Sequence, residues 1–478
     1  MTSSGRRIAI VGAGPAGVYA AQASAACPDI GAIDVLEALP TPYGLVRYGV
    51  APDHPRTKAV ARTLDKILTQ EKVRFLGNVR VGSDLTHEDL QAHYAAVVYC
   101  TGAHRDRSLA IPGEEVPGSH GAAEFVAWYS GHPDASTRDF LGSSTAAVVV
   151  GGGNVALDVA RVLTRRAADF EATDVPEHVL RALRASRLHD VHLLVRRGPA
   201  EARFSPPELR ELGELPDVDI VLDASALAGV PEDSGALARD AKQNVAVLSE
   251  WIGRRPSNAS RRVHVHFWTR PTAMHGDNRL TRVETLTAPP GAEPRRGFLD
   301  VSLALRAVGY AAEPVLGLPF DPGKARVPNE RGRVVDDQRR TSTQGAYVAG
   351  WLKRGPSGVI GTNRVDAVET VTTMVADLSR LPNRNAPDAK EIVDLLRERG
   401  VRVVEWHGWR AIQAQEAFLG AGRGIASVKI HDRAQMLAIA SSGGSSTGPA
   451  EDAGLLLGPN GSATCCRTSA LKHARTKP

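Results

Sequence analysis

The chain is short of cysteine, of long apolar runs and of a strong charge bias. Its four cysteines are Cys27, Cys100, Cys465 and Cys466, and no two stand in a Cys-x-x-Cys pair. A disulfide framework, a zinc knuckle and a redox-dithiol centre are therefore disfavoured, no metal site is expected, and a reducing, cytoplasmic setting fits best. No stretch approaches the ~18 consecutive apolar residues of a transmembrane helix, so no membrane span is expected. The N-terminus, MTSSGRRIAIVGAG, runs straight into a folded motif without the apolar h-region of a signal peptide. The 58 Lys and Arg against 53 Asp and Glu leave a net charge of +5. That bias gives no case for a nucleic-acid protein, but it is compatible with a local basic patch that meets an acidic protein partner.

What is present describes a soluble globular chain: 42% hydrophobic residues and 23% charged ones. Its 478 residues exceed the roughly 250–300 at which a single core stops growing, so two domains are the default. The apolar run Ile8–Val11 reads as a buried parallel strand. It runs into Gly12-Ala13-Gly14-Pro15-Ala16-Gly17, after which an Ala-rich helix begins. Ala32 to Glu37 reads as the next strand, with Glu37 20 residues after Gly17. The pattern is that of a dinucleotide turn. Gly12 allows the tight turn, Gly14 lets a pyrophosphate approach the backbone, and Gly17 lets helix and strand pack closely. The diphosphate meets the helix N-terminus, and Glu37 can accept hydrogen bonds from an adenosine ribose.

Near residue 145 the pattern restarts. Ala146–Val150 is a strand, Gly151-Gly152-Gly153-Asn154-Val155-Ala156 a glycine turn, and Leu157 to Arg165 a helix. The strand His192–Val195 ends in Arg196-Arg197, where a ribose-binding acid would otherwise sit. Two guanidiniums there can fork onto a 2′-phosphate that a carboxylate would repel, which argues for NADP rather than NAD. Residues 263–268, VHVHFW, alternate and read as an antiparallel strand. Residues 301–309 and 346–350 read as two more strands. Two dinucleotide sites in one chain imply electron transfer between two cofactors, FAD at the first turn and NADPH at the second.

These residues resemble adrenodoxin reductase and its actinobacterial relatives, the ferredoxin–NADP(+) reductases of the glutathione-reductase-like flavoprotein type. The matching stretches include IAIVGAGPAGVYAA, LPTPYGLVRYGVAPDHP, YCTGA, IPGE, GGGNVALDVAR, VRRGP, ELREL, RAVGY and VAGWLKRGPSGVIGTN, between residues 8 and 363. The departures are Ser205-Pro206-Pro207 before Glu208 and an unmatched tail after 440. The resemblance implies FAD contacts at Gly12, Ala16, Gly17, Glu37, Leu45, Val81, Trp351 and Gly358-Val359-Ile360. On the NADP side it implies Arg107, Gly152, Gly153, Asn154, Val155, Arg196, Arg197 and Glu208. It also places His54 and Glu211 near flavin and nicotinamide, where they would position and supply protons.

The implied fold class is α/β, with two Rossmann-like three-layer dinucleotide-binding domains, the NADP domain inserted into the FAD domain. Residues 1–103 and 319–440 would form the FAD-binding domain, 104–318 the NADP-binding domain, and 441–478 a disordered tail. The implied function is electron transfer from NADPH through FAD to a small acidic iron–sulfur protein, ferredoxin or adrenodoxin-like, with the enzyme a monomer or weak dimer. Arg210, Lys353 and Arg354 are candidate docking residues. The competing readings are a flavoprotein serving another acceptor or a synthase partner, and a dinucleotide-binding sensor without turnover.

Overall fold

A computed structural model describes residues 5–135, 137–231, 237–336, 341–381 and 391–442. The first sheet has seven strands, in the order Asn329–Glu330, Arg333–Asp336, Thr341–Val348, Ala96–Tyr99, Arg6–Val11, Ile30–Glu37 and Val73–Gly77. The last five are parallel, and the first three form an antiparallel edge. Arg6–Val11, the middle strand of the parallel part, is apolar on both faces from Ile8 onward because both are covered. On one face lie the helices Pro15–Ala25, Thr362–Asp377, Trp406–Ala421 and Arg433–Ser442; on the other lie Leu90, Ile392 and Leu396. The helix Arg433–Ser442 carries ordered chain past the expected start of a tail at 441, because Met436, Leu437 and Ala440 bury against this core. Residues 443–478, with Cys465 and Cys466, lie outside the described residues.

The second sheet draws its six strands from between the two parts of the first, so it is inserted in sequence. Its order is Ser119–Gly121, Leu303–Arg306, Ala146–Val150, Asp190–Leu194, Arg261–His266 and Val218–Leu222, all parallel. Helices cover one face. A three-stranded antiparallel sheet, Thr269–His275, Arg282–Thr287 and Arg295–Leu299, supplies Met274 and Val283 to the other. The two crossovers pair with each other, Tyr310–Ala311 running antiparallel to Arg105–Asp106. No described helix is long and apolar enough to cross a membrane.

One strand differs from expectation. The alternating VHVHFW segment is parallel to both its neighbours, not antiparallel. Val263 and Val265 bury under the helices, while His264 and His266 point to the opposite face beside His192. His192 Nδ1 lies 3.0 Å from His266 Nε2, and His264 Nε2 lies 2.7 Å from Asp190 Oδ1. Alternation here reports a face only partly covered, a property that strand direction does not determine.

The sheets meet along a seam of charged groups. Asp53, from the first part of the chain, contacts Arg161 and Arg165 of the inserted part. Lys58 donates to Asp174 Oδ1 at 2.6 Å, and Lys429 lies 3.2 Å from Asp174 Oδ2. The His178 and His431 rings sit 4.5 Å apart beside it. Burial pulls His132, His178, His192 and His266 down from 6.5 to about 4. In the unfolded chain they titrate at the ordinary value, so between these limits the unfolded state binds more protons and stability rises with pH. The melting temperature should therefore fall as pH drops from 6.5 toward 4. Calorimetry showing a flat melting temperature across that window would contradict the buried, neutral state of these rings.

Candidate functional site

The first glycine turn is shaped by close backbone approach. Gly12 has φ +106°, and a Cβ there would lie 2.6 Å from the Cys100 carbonyl oxygen. A Cβ on Gly17 would lie 1.8 Å from the Gly12 carbonyl oxygen, so only glycine lets the helix close on the strand. The segment after Glu37 folds over this turn. Tyr43 N–H donates to Ala13 O at 2.9 Å, and Gly44 stacks on Gly14. From the other end of the chain, Gly350 lies directly against Ala16. Gly14 and Gly153 precede the helices Pro15–Ala25 and Asn154–Thr164, and neither helix has a side-chain cap. Space is open around Gly153, where a Cβ would meet nothing within 4 Å. Two uncapped, glycine-fronted N-termini are what a dinucleotide diphosphate requires, so both turns fit the expected cofactors.

Glu37 ends its strand half-buried at this turn. Its Oε2 accepts from Ala13 N–H at 2.8 Å and its Oε1 from Leu39 N–H at 3.1 Å. Burial raises its pKa despite those donors. Leu45 is 37% exposed, and Val81 packs half-buried on the core below the first sheet. Trp351 opens the short helix Trp351–Arg354, because Gly350, at φ +72°, turns the chain first. Its indole N–H donates to Ser357 O at 3.2 Å, and its ring lies 5.9 Å from Tyr310. Gly358, Val359 and Ile360 form the turn before the helix Thr362–Asp377, and Val359 is 74% exposed.

On the inserted side, Gly152 and Gly153 shape the second turn, and Val155 packs on the core of the second sheet. Asn154 has a positioning task of its own. Its Oδ1 accepts from Ser205 N–H at 2.7 Å and its Nδ2 donates to Ser205 Oγ at 3.2 Å. Pro206 and Pro207 then form the first turn of the helix Pro206–Gly213, where proline's missing N–H costs nothing. That helix carries Glu208 and Glu211. Glu208 is half-buried and its pKa is raised by desolvation, with Asp158 and Glu211 adding to the rise. Arg196 and Arg197 are exposed just past the strand Asp190–Leu194, and Arg197 Nη1 stands 3.7 Å from Glu201 Oε1. Arg107 is exposed on the crossover, its Nε donating to Tyr310 O at 3.1 Å.

The two parts of the chain meet at His54 and Glu211: His54 Nε2 lies 3.0 Å from Glu211 Oε2. Around them is a network that sequence reasoning did not name. Arg161 Nη2 contacts Asp158 Oδ1 at 2.8 Å, its Nη1 contacts Asp53, and the same Nη1 lies 3.6 Å from Glu211 Oε1. The available signal was a polar stripe, Asn154, Asp158, Arg161 and Arg165, at helical spacing on an otherwise apolar helix.

Two docking candidates are corrected. Lys353 is buried and its ammonium sits among Asp366 at 3.0 Å, Glu369 at 2.7 Å and Thr370 at 3.1 Å. Arg354 is likewise engaged by Asp366 and Asn363. Both hold the turn around Gly350 together, while Arg210 is exposed. The described cysteines are Cys27 and Cys100, and burial pushes the Cys100 thiol pKa up.

Comparisons with known proteins agree with this geometry. Residues 6–357 match the family described as Pyridine nucleotide-disulphide oxidoreductase. The chain is 38% identical over 451 residues to the NADPH-ferredoxin reductase FprA of Mycobacterium leprae, covering 90% of this chain and 98% of that one. It is 37% identical over 458 residues to the mitochondrial NADPH:adrenodoxin oxidoreductase of Arabidopsis thaliana, covering 91% and 95%. The solved structure of Mycobacterium tuberculosis FprA in complex with NADPH superposes with a TM-score of 0.84 at 38% identity, covering 91% of this chain and all of that one. Glu37→Ala removes the acceptor for two turn N–H groups and should leave the fold intact while the flavin is lost during purification. A flavin-to-protein absorbance ratio equal to the parent's would show that Glu37 does not serve flavin retention.

Proposed function

The chain belongs to the pyridine nucleotide-disulphide oxidoreductase family, among its ferredoxin–NADP(+) reductases, and from that we infer how its own residues divide the work. It is an FAD-dependent oxidoreductase that passes electrons from NADPH to an iron–sulfur protein. When bound, FAD takes two electrons together and releases them one at a time, which suits a two-electron donor and a one-electron acceptor. We assign FAD binding to residues 1–103 and 319–440, and NADP binding to residues 104–318. The acceptor is a small acidic iron–sulfur protein, and the setting is cytoplasmic.

The observation that carries the assignment is the 3.0 Å contact of His54 with Glu211. One residue comes from the part that builds the first glycine turn, the other from the part that builds the second. The contact supports an approach of the two bound cofactors at this point. Gly12, Gly14, Ala16, Gly17, Glu37, Leu45, Val81, Trp351, Gly358, Val359 and Ile360 bind FAD. Arg107, Gly152, Gly153, Asn154, Val155, Arg196, Arg197 and Glu208 bind NADPH. His54 and Glu211 hold the reacting faces together, exclude water between them and keep a proton at His54 Nε2 within reach. Hydride transfer needs no protein nucleophile, so positioning is the main service of these side chains.

Coenzyme choice should rest on Arg196 and Arg197. Each charge-assisted contact to a 2′-phosphate contributes about 1.5–3 kcal/mol. The double alanine variant should lose NADPH preference by one or more orders of magnitude, mostly in KM, read as the NADPH-to-NADH ratio of kcat/KM. An unchanged ratio would remove the two arginines from that role.

Docking of the acceptor rests on surface charge, with Arg210 the exposed candidate. Such attraction is screened over about 8 Å at physiological salt. Raising ionic strength should slow ferredoxin reduction while barely touching ferricyanide reduction. A ferredoxin rate independent of salt would sink the electrostatic docking, and no stimulation by any ferredoxin would sink the acceptor assignment.

A further inference from the structure

We propose that Arg161 is the positioning residue of the His54–Glu211 pair: its buried guanidinium ties Asp53, next to His54, to Glu211 across the seam, and so fixes the carboxylate that His54 meets. The inference rests on the reading that this pair serves the reaction, and it names what makes the pair geometrically possible.

Glu211 would not hold this position unaided. Its side chain is 39% exposed on a surface helix, whereas Arg161 is 2% exposed. The two carboxylate oxygens of Glu211 have separate partners. Oε2 faces His54 Nε2 at 3.0 Å, and Oε1 faces Arg161 Nη1 at 3.6 Å. Arg161 cannot drift either, because Asp158 takes its second nitrogen at 2.8 Å and Asp53 contacts Nη1. A planar guanidinium held on two sides is a rigid reference for a third group, which a flexible ammonium is not.

The same guanidinium sets the local charge. Four carboxylates face this point: Asp53 from the segment before the short helix Pro55–Lys58, Asp158 from the glycine-turn helix, and Glu208 and Glu211 from Pro206–Gly213. The cations are Arg161, Arg165, which also holds Asp53 and stands 3.6 Å from Asp169, and His54 when protonated. The phenols of Tyr129, buried, and Tyr310, half-buried, lie alongside and feel Asp158. Burial opposes the charge on Arg161, yet Asp53, Asp158 and Glu211 together keep its pKa above the ordinary arginine value. Replacing it by a neutral side chain leaves the carboxylates in excess at this point.

The test uses R161M and R161K in the full-length flavoprotein, with H54Q and E211Q as controls. R161M should slow anaerobic flavin bleaching by NADPH by roughly tenfold to a hundredfold, with the NADPH dissociation constant changed by less than about twofold. The pH profile of bleaching is read alongside the rate and should differ between R161M and the parent, because a fixed positive charge beside the carboxylates is lost. R161K should recover the pH profile but only part of the rate. If R161M does not load flavin, R161K is compared alone and in the E211Q background, where its effect should shrink because the contact it supports is gone. A flavin-loaded R161M with the parent's rate and pH profile would overturn the proposal, as would fully additive effects of R161K and E211Q. If H54Q and E211Q bleach at the parent rate, the pair itself has no role and the underlying reading falls. If they are slow while both Arg161 variants behave as the parent, only the role of Arg161 falls.

Discussion

The fixed distance between the two sheet units is held by buried and half-buried charge on both flanks of the Pro55–Lys58 helix. On one flank Asp53 meets Arg161 and Arg165; on the other Lys58 and Lys429 meet Asp174. Each unit has its own apolar core and each would bury its helices without the other. What neither core can set is how the first glycine turn faces the second. Buried ion pairs contribute little net stability, because desolvation offsets much of the attraction, but they tolerate few geometries. That makes them suited to registering one unit on the other.

Lys429 shows how far this goes. Its ammonium is surrounded by the Arg47 carbonyl at 2.7 Å, the Ser130 carbonyl at 3.0 Å and Asp174, with the Tyr48 ring 5.6 Å away. Burial pulls its pKa down to about 7, while Lys429 and Lys58 hold Asp174 below the usual carboxylate range in spite of its own burial. The stronger influence on geometry is the carboxylate with two lysines, because it gathers three distant segments at one point. His54 lies one turn before Lys58 and inherits its place from both flanks.

A second convergence builds the surroundings of the first glycine turn. The chain after the second strand and the chain after Val348 both close on the first glycine turn, through Tyr43 and Gly350. Asp366 anchors the latter by accepting from the Gly350 N–H, Lys353 and Arg354. Two basic side chains that read as surface charges in sequence are spent here on holding a turn. Nothing in their local pattern separates a solvated lysine from a buried one, since the distinction lies in the acidic helix face that arrives from residues 366–369.

Much of this protein was legible in its sequence because the relevant physics is local. A strand, a glycine turn and a helix lie within some twenty residues, so their apolar runs and small residues report the two glycine turns directly. The inserted order of the sheets followed from the restart of that pattern. Strand direction for residues 263–268 was not legible, because alternation records which face is covered and not which neighbour pairs. The His54–Glu211 contact spans 157 residues, and Arg161 reaches Asp53 across 108. Family resemblance implied only that His54 and Glu211 lie near the same two cofactors, and periodicity suggested neither contact. Only the closure of one unit on the other decides which charges are buried and paired, since a carboxylate's partner depends on what the fold brings within about 4 Å and leaves no mark on the residues beside it in the chain.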